Sequence, residues 1–448
     1  MKKYIISCVV SAILAPTYGQ SLRELLKQAE AHYPLLKAKG YEVQARKDQV
    51  SYAQSSALPS LDAAYQLNYA TYNNITGMAV GQAFVPISGP PSVDNTYNPV
   101  FGSAAGLLLN WEPITFGQRK SKIESAKAYA DYQQTEANHE LFQHQVRTIN
   151  TYLDVIMTNE LIHVYNKNVE RSADDVRIVQ SLTRSGLRPG TDTALFQAEL
   201  SRARIELYHY EKLKAAQEVM LSEFVGGRAV YSIDSSFFRL LPKLAEDTSQ
   251  GNHPLIRLSA GRVLIGLSEK TALQRTLYPK LSLWGTAYAR GSGIRYDGFV
   301  NSEDGLSFSR YNYGAGVVFS LPVLRFANIR HQVNAQESLI KSEEEKLNLT
   351  KLQLEKQREV AQVTLINALK IAQESPSYYQ SAEFSYRTLK SRYNSGLVNY
   401  SDYIQAQYAL IKSEADLKRA YIEAWKALLY KAAVQGDINI FLNQLTSR

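Results

Sequence analysis

Cysteine is all but missing from this chain: Cys8 is the only one in 448 residues. Disulfides, thiolate chemistry and cysteine metal sites are thereby excluded from everything beyond the first few residues. The seven histidines are scattered; the closest pair of interest, His139 and His144, stands five apart and so falls on different helix faces. Four methionines, one of them Met1, form no track for soft metal ions. Gly314-Ala315-Gly316 lacks the third glycine of a nucleotide loop and lies in a strand-like pattern. No Ser/His/Asp set or carboxylate pair stands out, so no catalytic residue, cofactor or metal is expected and the chain reads as no enzyme. The formal charge of +8 falls to about +6 without Lys2 and Lys3, and it is too dispersed for a nucleic-acid partner.

Beyond the first residues there is also no apolar run of twenty, hence no membrane-spanning helix is expected. Residues 1–19 read as a secretory signal peptide. Lys2 and Lys3 precede an apolar run from Tyr4 to Ala15, and Thr17-Tyr18-Gly19 supplies small residues for cleavage. Cys8 interrupts that run instead of ending it, which argues against a lipid-anchoring cysteine.

What the chain does contain is long-range order. Ser21-Leu22-Arg23-Glu24 is a capping box that should start a helix running to about Ala57, through His32-Tyr33-Pro34-Leu35. The period then changes to two. Leu61, Ala63, Tyr65, Leu67 and Tyr69 alternate with Asp62, Ala64, Gln66, Asn68 and Ala70, a strand with one apolar and one polar face. A loop rich in Gly, Pro and Asn, about residues 72–99, leads to a second strand over about Phe101 to Trp111, with Ala105, Leu107, Leu109 and Trp111 on one face.

From Gln118 to Ser185 glycine and proline are absent, which predicts one helix of nearly seventy residues, roughly 100 Å long. Phe142, Val146, Ile149, Leu153 and Ile156 form a narrow 4-3-4-3 coiled-coil seam. The helix ends at Ser185-Gly186-Leu187-Arg188-Pro189-Gly190-Thr191-Asp192. Glycine suits a left-handed C-terminal residue, and Thr191-Asp192 reads as an N-cap with an acid in the first turn. A shorter helix follows to about Val225, then an irregular connection over 226–250.

The order then recurs. His253-Pro254-Leu255 answers Tyr33-Pro34-Leu35, and Pro279-Lys280-Leu281 answers Pro59-Ser60-Leu61, each 220 residues later. Leu281, Leu283, Gly285 and Ala287 alternate with Ser282, Trp284, Thr286 and Tyr288; the last strand carries Tyr311, Tyr313, Ala315, Val317 and Phe319. Past it the offset is 210, matching Phe116 to Phe326, Gly186 to Gly396 and Asp192 to Asp402. A second tip, Ser395-Gly396-Leu397-Val398-Asn399-Tyr400-Ser401-Asp402, reproduces the first. The seam Phe196, Leu200, Ala203, Leu207, Tyr210 returns as Ala406, Leu410, Ser413, Leu417, Ala420. Pro376 interrupts the second long helix and should kink it. Two repeats are expected: residues 20–245, with strands in 60–112 and a tip at 185–192, and residues 246–448, with strands in 280–322 and a tip at 395–402.

Four strands cannot close a membrane barrel, which needs at least about eight. The strands must either close with those of other chains or pack as a soluble sheet. Alternating apolar and polar faces suit a barrel with lipid outside and water inside, and an exported chain of that kind belongs in an outer membrane. The competing reading is a periplasmic coiled-coil scaffold with a soluble sheet.

In the two Pro-Leu and Leu-Pro-Ser-Leu/Tyr-Pro-Lys-Leu segments, the Phe116-Gly117-Gln118-Arg119 junction and both Ser-Gly-Leu tips, the chain resembles the TolC-like family of outer-membrane efflux and secretion channels. The resemblance covers essentially the whole mature chain. It implies a mostly α, internally duplicated protomer whose homotrimer forms a twelve-stranded membrane β-barrel and a twelve-helix periplasmic tunnel in a Gram-negative outer membrane. It also implies a periplasmic adaptor protein and an inner-membrane RND or ABC pump as partners. Residue by residue, it places Gly186, Leu187, Gly396 and Leu397 at the adaptor contact and Asp402 in an acidic ring at the constriction. Gln405 stands where relatives often carry a second acid. Tyr393 and Asp192 map to bonds between neighbouring coils that hold the entrance shut. Read without the resemblance, Asp192 and Asp402 are equally first-turn acids of ordinary helices.

Overall fold

The computed structural model describes residues 21–71, 73, 95, 97–227, 231–244, 253–295 and 299–446. The expected signal peptide with Cys8, most of the 72–99 loop and part of the 226–250 connection lie outside the described residues. The fold is mostly helical with one four-stranded sheet. Its order is α1 (Leu22–His32), α2 (Pro34–Ser55), β1 (Ser60–Ala70), β2 (Val100–Ile114), α3 (Gln118–Arg184) and α4 (Gly190–Val225). Then come α5 (Pro254–Arg275), β3 (Lys280–Ser292), β4 (Arg310–Ser320), α6 (Phe326–Asn394), α7 (Tyr400–Gln435) and α8 (Asn439–Thr446). Two compact units result, each drawing segments from both halves of the sequence: Ala45–Asp131 with Val263–Ser342, and the remainder.

The first unit holds the sheet. Its strands pair antiparallel in the order β1-β2-β3-β4. The register sets Leu61 opposite Leu109 and Tyr65 opposite Ala105; Leu107 opposite Ala287 and Trp111 opposite Leu283; and Leu283 opposite Val317 and Leu281 opposite Phe319. Because partners across a ladder share a face, every apolar position of the alternating pattern falls on the same side. That side is bare: Leu61, Tyr65, Val317 and Phe319 are all more than 60% exposed. On the other side Trp284 lies across β4 at Gly316, where a Cβ would come within 2.6 Å of the indole. The helix ends in this unit are tied to strand ends, Trp111 Nε1 donating to the Ala57 carbonyl at 2.8 Å and Gln118 to that of Tyr278 at 2.6 Å.

The second unit is helical. Its main core joins α1, α3, α4, α6 and α7 through Leu25, Ile149, Leu153, Ile156, Leu221, Leu365 and Trp425, all fully buried. Trp425 meets Phe237 and Phe441 edge-on, at 5.2 and 5.9 Å, and its Nε1 donates to the Leu240 carbonyl. Most positions of the seams read from the sequence are buried, while Val146, Tyr210 and Leu417 are half-buried. Phe142, Ile149, Leu153 and Ile156 are buried on α3, Phe196, Leu200, Ala203 and Leu207 on α4, and Ala406, Leu410, Ser413 and Ala420 on α7.

Two expectations need correction, and a third needs it in part. The first helix does not run through to Ala57: it stops at His32, Tyr33 is extended (φ −66°, ψ 120°), and α2 restarts at Pro34. A residue before proline is driven out of the α region, while proline itself is well placed at the first position of a new helix. The caps of α4 and α7 lie two residues earlier than Thr191 and Ser401, at Pro189 and Asn399. Asn399 wins because its side-chain carbonyl reaches the Asp402 N–H at 2.9 Å. Finally, Pro376 does not break α6, which stays helical from Phe326 to Asn394; the expected kink concerns the axis of that helix and stands as an expectation. Proline deprives the Ala372 carbonyl of its usual donor, and the Ser375 hydroxyl donates to that carbonyl instead at 3.0 Å.

That substitution of one donor for another is testable. Ser375 and Ala372 are both buried, so Ser375→Ala leaves a carbonyl unsatisfied and should cost about 1–2 kcal/mol. In a Pro376→Ala background the backbone N–H returns and the cost of Ser375→Ala should fall below about 0.5 kcal/mol. Denaturant unfolding of the four proteins of this cycle measures both numbers.

Candidate functional site

The two tips repeat one piece of backbone chemistry. Leu187 N–H bonds to the Leu182 carbonyl and Gly186 N–H to that of Thr183; Leu397 and Gly396 do the same with Arg392 and Tyr393. This is the Schellman closure, and it requires the left-handed conformation that Gly186 (φ 71°) and Gly396 (φ 74°) adopt. The glycines leave open space around them, and Leu187 and Leu397 stand 71% and 73% exposed beside them. An apolar side chain with nothing to cover it is held out at each turn.

Behind the turns, three helices are locked in register by pairs that progress steadily along the chain. Asp175 pairs with Tyr403, Ser172 with Gln407, Arg171 with Glu414, Glu160 with Lys418 and Asp154 with Lys426. As the position on α7 rises, that on α3 falls, so the two helices run antiparallel. Between α4 and α7 the positions rise together: Glu199 and Arg202 meet Tyr408, and Tyr210 meets Arg419. Those helices are parallel.

The buried centre of the tip is aromatic. Tyr403 stacks with Tyr386 on one contact and Tyr393 on another, with 5.9 and 5.2 Å between centroids, and Phe196 packs against Tyr393, Tyr400 and Tyr403. One acid enters this cluster. Asp175 accepts from the Tyr403 hydroxyl at 2.5 Å and from Lys390 at 3.0 Å, and Lys390 also donates to the Tyr386 hydroxyl. Burial, with Asp175 adding to it, drives the Tyr403 pKa far upward. Burial lowers that of Lys390, but the Asp175 carboxylate outweighs it and the net shift is upward. Burial also pushes Tyr400 up to about 12.

Of the residues singled out from the sequence, the fold brings Tyr393 and Asp192 together through Arg188. Arg188 donates to the Tyr393 carbonyl at 3.1 Å, lies 4.5 Å over its ring, and stands 3.9 Å from Asp192. The Tyr393 hydroxyl is buried and closes no hydrogen bond among the described residues. Its pKa is raised, first by burial and then by the nearby Asp192 carboxylate, against Arg188. Asp402 and Gln405 are not part of this cluster; Asp402 is exposed on the first turn of α7 and Gln405 on the next. Sequence reasoning missed Arg188, Asp175, Lys390 and Tyr403. One signal was available: Tyr379, Tyr386 and Tyr393 recur every seven residues on α6, a heptad of amphipathic side chains that the search for aliphatic seams passed over.

Residues 25–227 match the family model described as outer membrane efflux protein. No curated protein matches the chain in sequence. Solved structures match its fold. The Campylobacter jejuni CmeC outer membrane channel does so with TM-score 0.74 at 15% identity, over 93% of this chain and 86% of that one. The outer membrane protein VceC of Vibrio cholerae gives 0.72 at 15%, over 93% and 96%. The open state of the Neisseria gonorrhoeae MtrE outer membrane channel gives 0.69 at 12%, over 93% and 89%.

Two outcomes follow from the tip geometry. Lys390→Met strands the buried Asp175 carboxylate and should cost about 2–3 kcal/mol in denaturant unfolding. That is less than for a fully enclosed pair, because the Lys390 side chain keeps 28% exposure. Lys390 and Tyr400 both bind their protons more tightly in the fold than in the unfolded chain. Their contribution is therefore complete below about pH 10 and is lost as pH rises through their raised values, which for Tyr400 is about 12. A melting temperature that is flat between those values would contradict the assignment.

Proposed function

We propose that the chain is one subunit of an outer-membrane efflux channel, a passive conduit and not an enzyme, seated in the outer membrane of a Gram-negative bacterium and extending into the periplasm. The observation that carries this reading is the sheet. Its apolar side is bare, and β1 and β4 each leave one edge unpaired among the described strands. In hydrocarbon, open edges leave backbone groups that cost several kcal/mol each, so the sheet must close. Three copies side by side supply twelve strands, an even number well above the minimum for a barrel. Leu61, Tyr65, Leu107, Trp111, Leu283, Val317 and Phe319 then face lipid, and the side bearing Gln66, Thr286 and Asn312 faces water. The match of residues 25–227 to outer membrane efflux proteins and the fold of the solved channels support the same reading.

On this reading the helices of three chains form the periplasmic tunnel, roughly 100 Å long given the 67 residues of α3. The recurrence of the element order makes residues 20–245 and 246–448 two repeats of one ancestral unit. Gly186, Leu187, Gly396 and Leu397 meet a periplasmic adaptor, through which an inner-membrane pump of the RND or ABC class delivers its cargo. Asp402 from three chains lines the narrow mouth, with Gln405 one turn further in. The Arg188 bridge holds Tyr393 and Asp192 behind it.

Three measurements test these assignments. Mass measurement in detergent should give a trimer, and heat-modifiable migration should accompany membrane fractionation; a soluble periplasmic monomer would leave only the scaffold reading. Arginine at Leu107 or Val317, near the strand centres, should cost about 2–4 kcal/mol, whereas arginine at Gln66 or Thr286 should be nearly neutral. Single-channel recording should show that Asp402→Asn weakens block by a trivalent cation added from the tip side, because a ring of like charges in a narrow mouth attracts multivalent cations. Unchanged block would make Asp402 a helix-terminal acid and nothing more.

A further inference from the structure

Where β2 turns into α3, the sheet unit carries a groove of about 450 Å³ that is open along one side. Its lining divides by chemistry. Ile114, Phe116 and Ile123 supply an apolar floor, and Arg119, Lys120 and Lys127 supply three cations. The cations are scarcely compensated. Glu124 is the one acid in the lining, 3.8 Å from Lys120, and both side chains are at least half exposed, so the pair neutralises little. Arg119 is fixed by donating to the Pro113 and Glu112 carbonyls, which orient the guanidinium without cancelling its charge. Lys127 enters no ion pair among the described residues.

The floor of the groove is continuous with the apolar side of the sheet. Ile114 pairs with Leu281, and Leu281 with Phe319, so all three lie on that face. The junction after β4, at the same end of the sheet, repeats the composition, with Leu324 (81%) and Phe326 (59%) exposed beside exposed Arg325 and Arg330. A surface with a cationic wall, an apolar floor and an apolar runway leading from it fits one kind of ligand: an amphiphile with a negative head and a hydrocarbon tail.

We propose that this groove binds an anionic phospholipid. The phosphate sits among Arg119, Lys120 and Lys127, and one acyl chain leaves over Phe116 and Ile114 onto the apolar side of the sheet. The site rests on the membrane-barrel reading, because only a sheet in a bilayer brings that end level with lipid headgroups. A free phosphate ion would use the cations alone and leave the apolar floor bare, so the lipid is the better match to the whole lining.

The test is native mass spectrometry of the delipidated full-length assembly in detergent, titrated with phosphatidylglycerol and, separately, with zwitterionic phosphatidylcholine. Phosphatidylglycerol should bind in preference, and the double variant Lys120→Gln/Lys127→Gln should weaken it by about tenfold or more. That variant leaves Arg119 and its hold on the strand end intact. Phe116→Ser should weaken phosphatidylglycerol without changing charge. Lys346→Gln/Lys356→Gln, two exposed lysines elsewhere on α6, should change nothing. Equal binding of the two lipids, or an undiminished affinity in the groove variants, would overturn the site. Competition by inorganic phosphate at millimolar concentration would show a free-anion site and overturn the lipid assignment. Conductance and heat-modifiable migration of the same preparation separate the two levels: if both persist while lipid preference is absent, the groove proposal fails and the channel reading stands.

Discussion

The outer edges of β1 and β4 carry backbone N–H and C=O groups that no other described strand of the chain pairs. In water this would be a tolerable edge. Under lipid each such group costs several kcal/mol, far more than any single side-chain contact returns. The bare apolar side of the same sheet excludes water as its permanent surrounding on the scale of an ordinary soluble protein. On the proposed channel reading, both demands are met together when copies of the chain join edge to edge.

Within the helical unit, register is the corresponding constraint. Aliphatic seams alone would let antiparallel helices slide by a heptad at modest cost, since each seam position presents a similar side chain. The polar pairs that tie α3 to α6 and α7 remove that freedom, because a slide of α3 would separate the buried carboxylate of Asp175 from Lys390 on α6, and Lys167 and Arg171 from the buried carboxylate of Glu414 on α7. Pairs of this kind contribute little net stability and much to specifying one register. The same logic applies to the tyrosine stack at the tip: its rings fill the seam, while the Tyr403 and Tyr386 hydroxyls bond to Asp175 and Lys390 in one alignment.

Regular elements here are preserved by local repair. α6 passes through Pro376 because a neighbouring hydroxyl supplies the missing donor. At Tyr33, the residue before Pro34, the backbone is extended and the helix ends. At the β2–α3 junction, Arg119 donates to two carbonyls at the end of the strand. That leaves a guanidinium fixed beside an apolar floor, and a junction built to terminate a strand becomes a surface with its own ligand preference.

Periodicity, glycine placement and internal recurrence determined the elements, their faces and the two tips, because each depends on spacings within a single segment. Leu61 and Leu109 could be assigned to apolar faces one strand at a time, and Gly186 and Gly396 could be identified because only one residue type tolerates that backbone comfortably. Local sequence chemistry also contained the restart at Pro34, though the strength of the capping box before it obscured the break. Which residues meet across helices was decided by the tertiary structure. Arg188 and Tyr393 lie more than 200 positions apart, as do Asp175 and Lys390, and their meeting depends on the rotation and axial offset of α3, α4, α6 and α7 about one another. A periodic pattern specifies which side of a helix is buried; it leaves the offset open, because every heptad looks alike until the partner's polar side chains choose among them.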